Sequence, residues 1–371
     1  MPKLFPRRRP ALFAFCAWAV ALPASAAFAQ QSTPKVDFGI GASMLDINKV
    51  EFGAVTDFLV TQTLSQQDNQ DGQLSGYKLT GGVSGLLPHQ RGDWLSSMAV
   101  KGFYASYKDD QQSRCTFTAS TDCVFFPLVD PDPNGTIGLP GGADASGGFF
   151  SDWLTDVHRE VTHWGGAIEI DLNRNSAPAV SLKDKPAPAE PAPFQWRAGL
   201  AVRRLDQKTS LISEDFGFAT DPVRLNDSLD TSYYGGYVGF ESWRPVGEAF
   251  RVKLSGETGL YYAKADYNGA YSATTNLGDN TPLSQSLSLS DSAPAFIGSV
   301  NLTFERDFGR ATLALFSEAE WISYVPKVLY SDTDLNGGVP FDITGNQNGT
   351  ALGDGSALTY TIGARLSLNL Q

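Results

Sequence analysis

Asp156-Val157-His158 comes nearest to catalytic chemistry in this sequence. A carboxylate two residues from an imidazole lies on the same face of an extended strand, and such a pair can activate water as a general base. The parity of the following residues argues against that use. Trp164, Ile168 and Ile170 form an apolar face, and Asp156 and His158 fall on the same parity, so they point outward with it. No pair of aspartates on a facing strand completes the set. No serine has a nearby base in a distinctive context, so acyl transfer lacks an activated nucleophile. The three histidines, His89, His158 and His163, are too dispersed for metal-ligand spacing. His163 falls on an inward parity and His89 in a turn.

Two other groups of residues could hold something. Asp130-Pro131-Asp132-Pro133-Asn134-Gly135 and Asp332-Thr333-Asp334-Leu335-Asn336-Gly337 alternate oxygen ligands before a glycine, as calcium loops do. Both lack the twelfth-position glutamate, with Gly141 and Ile343 there instead. Turn chemistry of Asp, Asn and Gly is the simpler reading, and no cofactor is expected beyond weak calcium binding in loops. Cys115 and Cys123 are a close pair in a polar segment rich in Gly and Pro, and in an exported chain such a pair forms a local disulfide.

The elements that must position these residues are two-faced strands. From Leu358 to Leu370, apolar residues alternate with polar ones for about thirteen positions, more than twice the usual soluble strand. The length fits a tilted strand crossing a bilayer. The same pattern predicts ten strands, near 36–44, 76–87, 94–107, 162–172, 194–204, 231–243, 250–262, 295–305, 311–324 and 357–370, with 8 or 12 as alternative counts. Gaps between them alternate long and short. Long segments cover about 45–75, 108–161, 205–230, 263–294 and 325–356, while 88–93, 244–249 and 306–310 are short. Short turns belong to the periplasmic end of an outer-membrane barrel and long loops to the external end, which places both termini in the periplasm. The segment 173–193 breaks the size rule. Its Pro186, Pro188, Pro191 and Pro193 make it an extended, solvated periplasmic loop.

Residues 1–29 read as a cleaved signal peptide: Lys3, Arg7, Arg8 and Arg9, an apolar run from Ala11 to Leu22, then small residues ending at Ala29. The whole chain carries 28 Lys and Arg against 40 Asp and Glu. Removing the four basic residues of the signal leaves 24 against 40, a net charge near −16. Nucleic acid, which needs a basic face, is thereby excluded as a partner.

Giving each strand's apolar parity to lipid leaves an opposite parity with Asp37, Lys78, Lys101, Glu169, Arg197, Arg203, Glu241, Arg251, Lys253, Glu257, Glu305, Glu318, Glu320 and Arg365. These are the candidate pore-lining residues. Seven are acidic and seven basic, so cross-strand ion pairs and water are expected in a narrow interior, rather than a pore selective for one sign of charge.

On the alternation, the loop asymmetry and the export signal, the chain resembles the bacterial outer-membrane β-barrel superfamily over nearly all of its mature length. The resemblance implies an all-β, antiparallel up-and-down barrel in the outer membrane of a Gram-negative bacterium, in contact with lipid and lipopolysaccharide. It also implies insertion by the outer-membrane assembly machinery, which in many members reads a C-terminal aromatic residue; this chain ends Leu370-Gln371 instead. Ten-stranded barrels include the omptin proteases, and Asp156-Val157-His158 is similar to half of their catalytic set, yet on the wrong parity. The functional expectation is therefore a monomeric, porin-like channel for passive diffusion of small hydrophilic solutes, and no enzyme. The alternative is a non-conducting barrel that displays acidic external loops to a partner or stabilises the envelope.

Overall fold

The computed structural model describes residues 34–57, 63–70, 72–85, 97–115, 122–124, 129–131, 136–139, 143–146, 153–172, 194–215, 223–247, 249–274, 282–329 and 351–370. The expected signal peptide (1–29), the proline-rich loop (173–193), His89 and the segment 332–337 lie outside these residues. So do most of 130–135 and the side chains of Cys115 and Cys123.

Ten strands form a closed barrel in which every pairing is antiparallel. They are β1 (Lys35–Asp46), β2 (Gln73–Ser84), β3 (Ser97–Cys115), β4 (Trp153–Asp171), β5 (Phe194–Asp215), β6 (Val223–Val246), β7 (Phe250–Thr274), β8 (Pro282–Asp307), β9 (Ala311–Ile322) and β10 (Ala357–Asn369). Each pairs with its neighbours in the chain, and β1 closes on β10 from Lys35↔Asn369 to Asp46↔Leu358. Closure removes the two edges that an open sheet of this size would expose. At the short-turn end, the β6–β7 and β8–β9 hairpins turn at Gly247 (φ 67°) and Gly309 (φ 87°), backbone conformations that glycine adopts without a Cβ clash. Asp307 Oδ1 accepts the Gly309 N–H at 2.8 Å and fixes the second turn.

The outer wall carries a band of exposed apolar side chains. Leu200, Leu260 and Ile362 are more than 70% exposed, with Phe38, Ile40, Leu254, Val300, Leu302, Leu315 and Leu366 around them. So much large apolar surface on one continuous band requires a hydrocarbon neighbour. Aromatic residues bound it on both sides. Tyr77, Trp164, Tyr234, Tyr262, Trp321 and Tyr360 stand at the long-loop edge, and Phe194, Trp196, Phe304 and Phe308 at the short-turn edge. A lipid-facing band between aromatic girdles is the exterior of an outer-membrane barrel.

Six strands run well beyond this band. β3 to β8 are 19 to 26 residues long, whereas β9, β10, β1 and β2 have 12 or 13. The segments 108–161, 205–230 and 263–294 therefore correct the expectation of long loops. Most of 205–230 and 263–294 is strand, and the ends of 108–161 are strand too. The reason lies in the polarity of the faces. On β5, Leu200 and Val202 face lipid while Arg197 and Arg203 face inward; five residues on, Leu205 and Leu211 are buried inside while Asp206 and Lys208 face water. Above the girdle, the outside is aqueous and the inside apolar, so the alternation continues with its sense reversed. A search for outward apolar residues stops at that reversal.

Smaller strands occupy the remaining long segments. Val50–Asp57, Thr63–Gln70 and Asp122–Val124 make one sheet, Val129–Pro131, Thr136–Leu139 and Ala143–Ser146 a second, and Lys327–Leu329 pairs with Ala351–Gly353.

Candidate functional site

The interior is stacked in three layers. Nearest the short-turn end, a chain of ion pairs crosses six strands. Arg251 bonds Glu305 at 2.7 Å, Lys253 bridges Glu305 at 3.5 Å and Glu241 at 2.6 Å, and Arg197 reaches Glu241 at 3.1 Å and Glu169 at 3.4 Å. Lys101 completes it on Glu169 at 2.7 Å, and Glu257 lies 4.0 Å from Arg197. Tyr237 donates to the second oxygen of Glu169 at 3.0 Å. Its ring lies over Gly199, where a Cβ would meet the ring at 2.5 Å; glycine is what lets the tyrosine reach the carboxylate. Alternating charges satisfy one another, which is what makes so many of them tolerable inside.

A second ionic group lies above. Lys78 bonds Glu318 at 2.8 Å, and Arg203 donates to Glu320. Phe103 lies between the two cations, 5.1 Å from Lys78 Nζ and 5.5 Å from the Arg203 guanidinium. His163 packs edge-on against Phe103 at 4.7 Å and stands 3.8 Å from Glu320.

The third layer is apolar and spans the bore. One contiguous buried cluster takes Leu45 from β1, Leu74 from β2, Tyr107 from β3, Val161 from β4 and Leu205 from β5. It continues through Tyr233 of β6, Ala263 of β7, Ile297 of β8, Ile322 of β9 and Ala357 of β10. Every wall strand thus contributes, and exposures among these ten residues run from 0 to 3%. The middle is filled by Ser323–Pro326, which leaves the wall after β9 and turns inward. Tyr233 donates to the Tyr324 carbonyl at 3.0 Å, Gln207 to the Pro326 carbonyl at 3.3 Å and Asn48 to the Val325 carbonyl at 3.2 Å. Arg159 holds the carbonyl of Asn48 at 2.6 Å. Tyr324 donates in turn to Asp291 at 2.8 Å; burial and that bond hold its hydroxyl well above the usual phenol range.

The fourteen charged residues read from the sequence all project into the barrel. Asp37 accepts from Ser367 near the short-turn end, and Arg365 lies over Phe316 at 5.2 Å. The other twelve are those of the two ionic layers. Asp156 and His158 are on the outer surface, with Gln112 donating to Asp156 at 2.7 Å and His158 against Asp110; they do not meet inside. Sequence reasoning missed Arg159, because the alternation was read only from residue 162. It also missed the inward turn at Ser323–Pro326. Its signal is Pro326 directly after Tyr324 and Val325, since a proline cannot donate to the ladder of a strand paired on both sides.

No protein-family model matches the chain, and no curated protein matches it. Among solved structures, the outer membrane protease OmpT from Escherichia coli is similar at 10% identity, over 93% of this chain and 99% of that one, with a TM-score of 0.43. A Pseudomonas aeruginosa FadL homologue matches at 7% identity over 92% and 91%, with a TM-score of 0.25. The Pseudomonas putida toluene transporter TodX matches at 9% over 92% and 90%, also at 0.25. With TM-scores below 0.5, these likenesses carry no argument about activity; the closed barrel of the outer-membrane type rests on this chain's own strand pairing and lipid-facing band.

Proposed function

We propose that this chain is an outer-membrane protein of a Gram-negative bacterium whose barrel is sealed, serving as a membrane-anchored platform for a partner. The observation that carries the reading is the apolar layer to which all ten strands contribute, filled at its centre by Ser323–Pro326. Its side chains are excluded from water, so a hydrophilic solute finds no aqueous path through them.

The porin-like reading draws support from the layer below. Glu241, Glu257, Arg251 and Lys253 are each between 22 and 28% exposed, so water enters from the short-turn end. That wet half supplies a vestibule, and passive diffusion would require the apolar layer to part. On the sealed reading, the short turns and both termini are periplasmic, and the long strands stand outside the cell above lipid and lipopolysaccharide. Export by residues 1–29, insertion by the assembly machinery, a Cys115–Cys123 disulfide and a monomeric state are parts of the same proposal. Catalysis is not, since Asp156 and His158 face outward.

Swelling of liposomes that contain the refolded full chain tests this. The expected rate with a small sugar equals that of protein-free liposomes. Swelling that grows with protein content would instead establish the diffusion channel.

A further inference from the structure

Closure of the barrel ends at the aromatic girdle. β9 pairs with β8 only from Asp307↔Thr312 to Ile297↔Ile322, while β7 pairs with β8 all the way to Thr274↔Pro282. Above Phe296, therefore, one edge of β8 has no strand hydrogen-bonded to it among the described residues; Ala143–Ser146 and Ala351–Gly353 come near β8 without pairing with it. The far side of the six-stranded wall has a similar edge on β3 beyond Lys108, where β2 stops pairing.

The two edges differ in chemistry. The β3 edge carries Asp109, Asp110 and Arg114, charges of the kind that discourage pairing with a foreign strand. The β8 edge, Pro282-Leu283-Ser284-Gln285-Ser286-Leu287-Ser288-Leu289-Ser290-Asp291-Ser292-Ala293-Pro294, has a single charge. Its backbone direction follows from its last bonds to β9's exit. Phe296 accepts from Ser323 N–H at 2.9 Å and donates to Ser323 Oγ at 2.8 Å, so both its backbone groups point to the open side. Backbone groups alternate between the two edges along a strand. The residues with the same parity are Ser292, Ser290, Ser288, Ser286 and Ser284, bracketed by Pro294 and Pro282, which have no N–H to leave unpaired. At Ser292 the N–H is met by the side chain of Asp291 at 2.7 Å, where a pairing strand would otherwise serve.

We infer that the β8 edge from Ser284 to Ser290 is a docking site for one extended polypeptide strand of a partner protein, which adds to the wall by backbone hydrogen bonding. Leu287 and Leu289 face the interior side beside Val328 and Leu352, while the serine side chains are exposed on the outer side. The incoming strand is therefore one with apolar residues on one face and small polar residues on the other. A second copy of this chain does not fit. Two copies in one membrane share their orientation, and a twofold axis along its normal would set their apolar faces on opposite sides of the joint. The inference deepens the platform reading proposed above and rests on it.

Amide hydrogen exchange on the full chain in lipid vesicles, with and without a synthetic peptide of about nine alternating leucines and serines, tests the site. In the chain alone, the amides of Ser284, Ser286, Ser288 and Ser290 are expected to exchange fast, and those of Leu287 and Leu289 slowly. The peptide should slow the four serine amides by at least about tenfold, and a peptide with methylated backbone nitrogens should not. Ser288→Pro removes one edge donor, and with it the hydroxyl that donates to Asn268 Oδ1 at 2.8 Å, but spares the backbone ladder with β7, so it should bind the peptide at least about tenfold more weakly with unchanged slow exchange at Leu287 and Leu289. The inference is overturned if the four amides are already protected in the chain alone, if they stay fast at saturating peptide, or if Ser288→Pro binds equally well. Solute passage in the swelling assay would overturn the sealed barrel and leave this exchange pattern as it is, so the two failures are distinguishable.

Discussion

Below the upper aromatic girdle this molecule is inside out, and above it the ordinary order of a water-soluble sheet returns. In the lower region the charged residues lie within and leucines face lipid. In the upper region Leu205, Leu211, Leu225, Leu229 and Tyr267 are buried within, and Arg204, Asp206, Lys208 and Lys264 face water. The same strands build both regions without a break, so backbone geometry does not decide which face is greasy. The solvent outside decides it. Where hydrocarbon surrounds the wall, the interior can hold ions only if they neutralise one another; where water surrounds it, the interior becomes an apolar core.

The comparison can be broken from either side. The largest effect is expected inside the lower region. Glu169→Ala strips the shared carboxylate from Lys101, Arg197 and Tyr237 at once, and removing one partner of a buried pair such as Arg197–Glu169 costs about 3–5 kcal/mol. Urea titration of the folded chain in vesicles reads it directly. A loss below about 1 kcal/mol would mean that water, not the network, holds those charges. On the lipid side of the same region, Val300→Arg, midway between Phe296 and Phe304 on β8, should cost about 2–4 kcal/mol near the bilayer centre. Tryptophan emission during unfolding would show that loss, and no loss would place Val300 outside the hydrocarbon.

Smaller effects belong to the upper region. Tyr233→Phe leaves the Tyr324 carbonyl without its donor, and an unsatisfied buried acceptor costs about 1–3 kcal/mol. If the inward turn seals the bore as described, proteolysis at the long-loop end should also quicken. The smallest change is expected at Arg204→Gln, on the wet outer face between Asp206 and Asp230. Exposed pairs contribute less than about 1 kcal/mol, so its thermal shift on heated gels should be near zero. A loss as large as that of Glu169→Ala would erase the distinction between the two regions.

Much of this architecture was legible in the residues. The runs around Leu358 to Leu370 and Phe250 to Tyr262 are two-faced for longer than soluble strands need, and turn length separated the two ends. What stayed hidden follows one physical cause. The alternation rule identifies a face but not what lies against it. At Arg204-Leu205 the rule breaks down because the surroundings change from lipid to water, and the expected strand ends there although the strand itself continues to Asp215. The fourteen charges could be assigned to the inner parity, but whether they frame a channel depends on what lies above them. On the proposed reading that is decided by Ser323–Pro326, whose inward turn is held by Asn48, Gln207 and Tyr233, with Arg159 holding Asn48, all distant in the chain. No local pattern announces contacts of that range.

The seal itself is tested most directly by current. Single-channel recording of the refolded full chain in a planar lipid bilayer, across a wide voltage range, should show a flat baseline. Discrete, repeated openings from the unaltered chain would contradict the sealed barrel and restore the diffusion channel in its place.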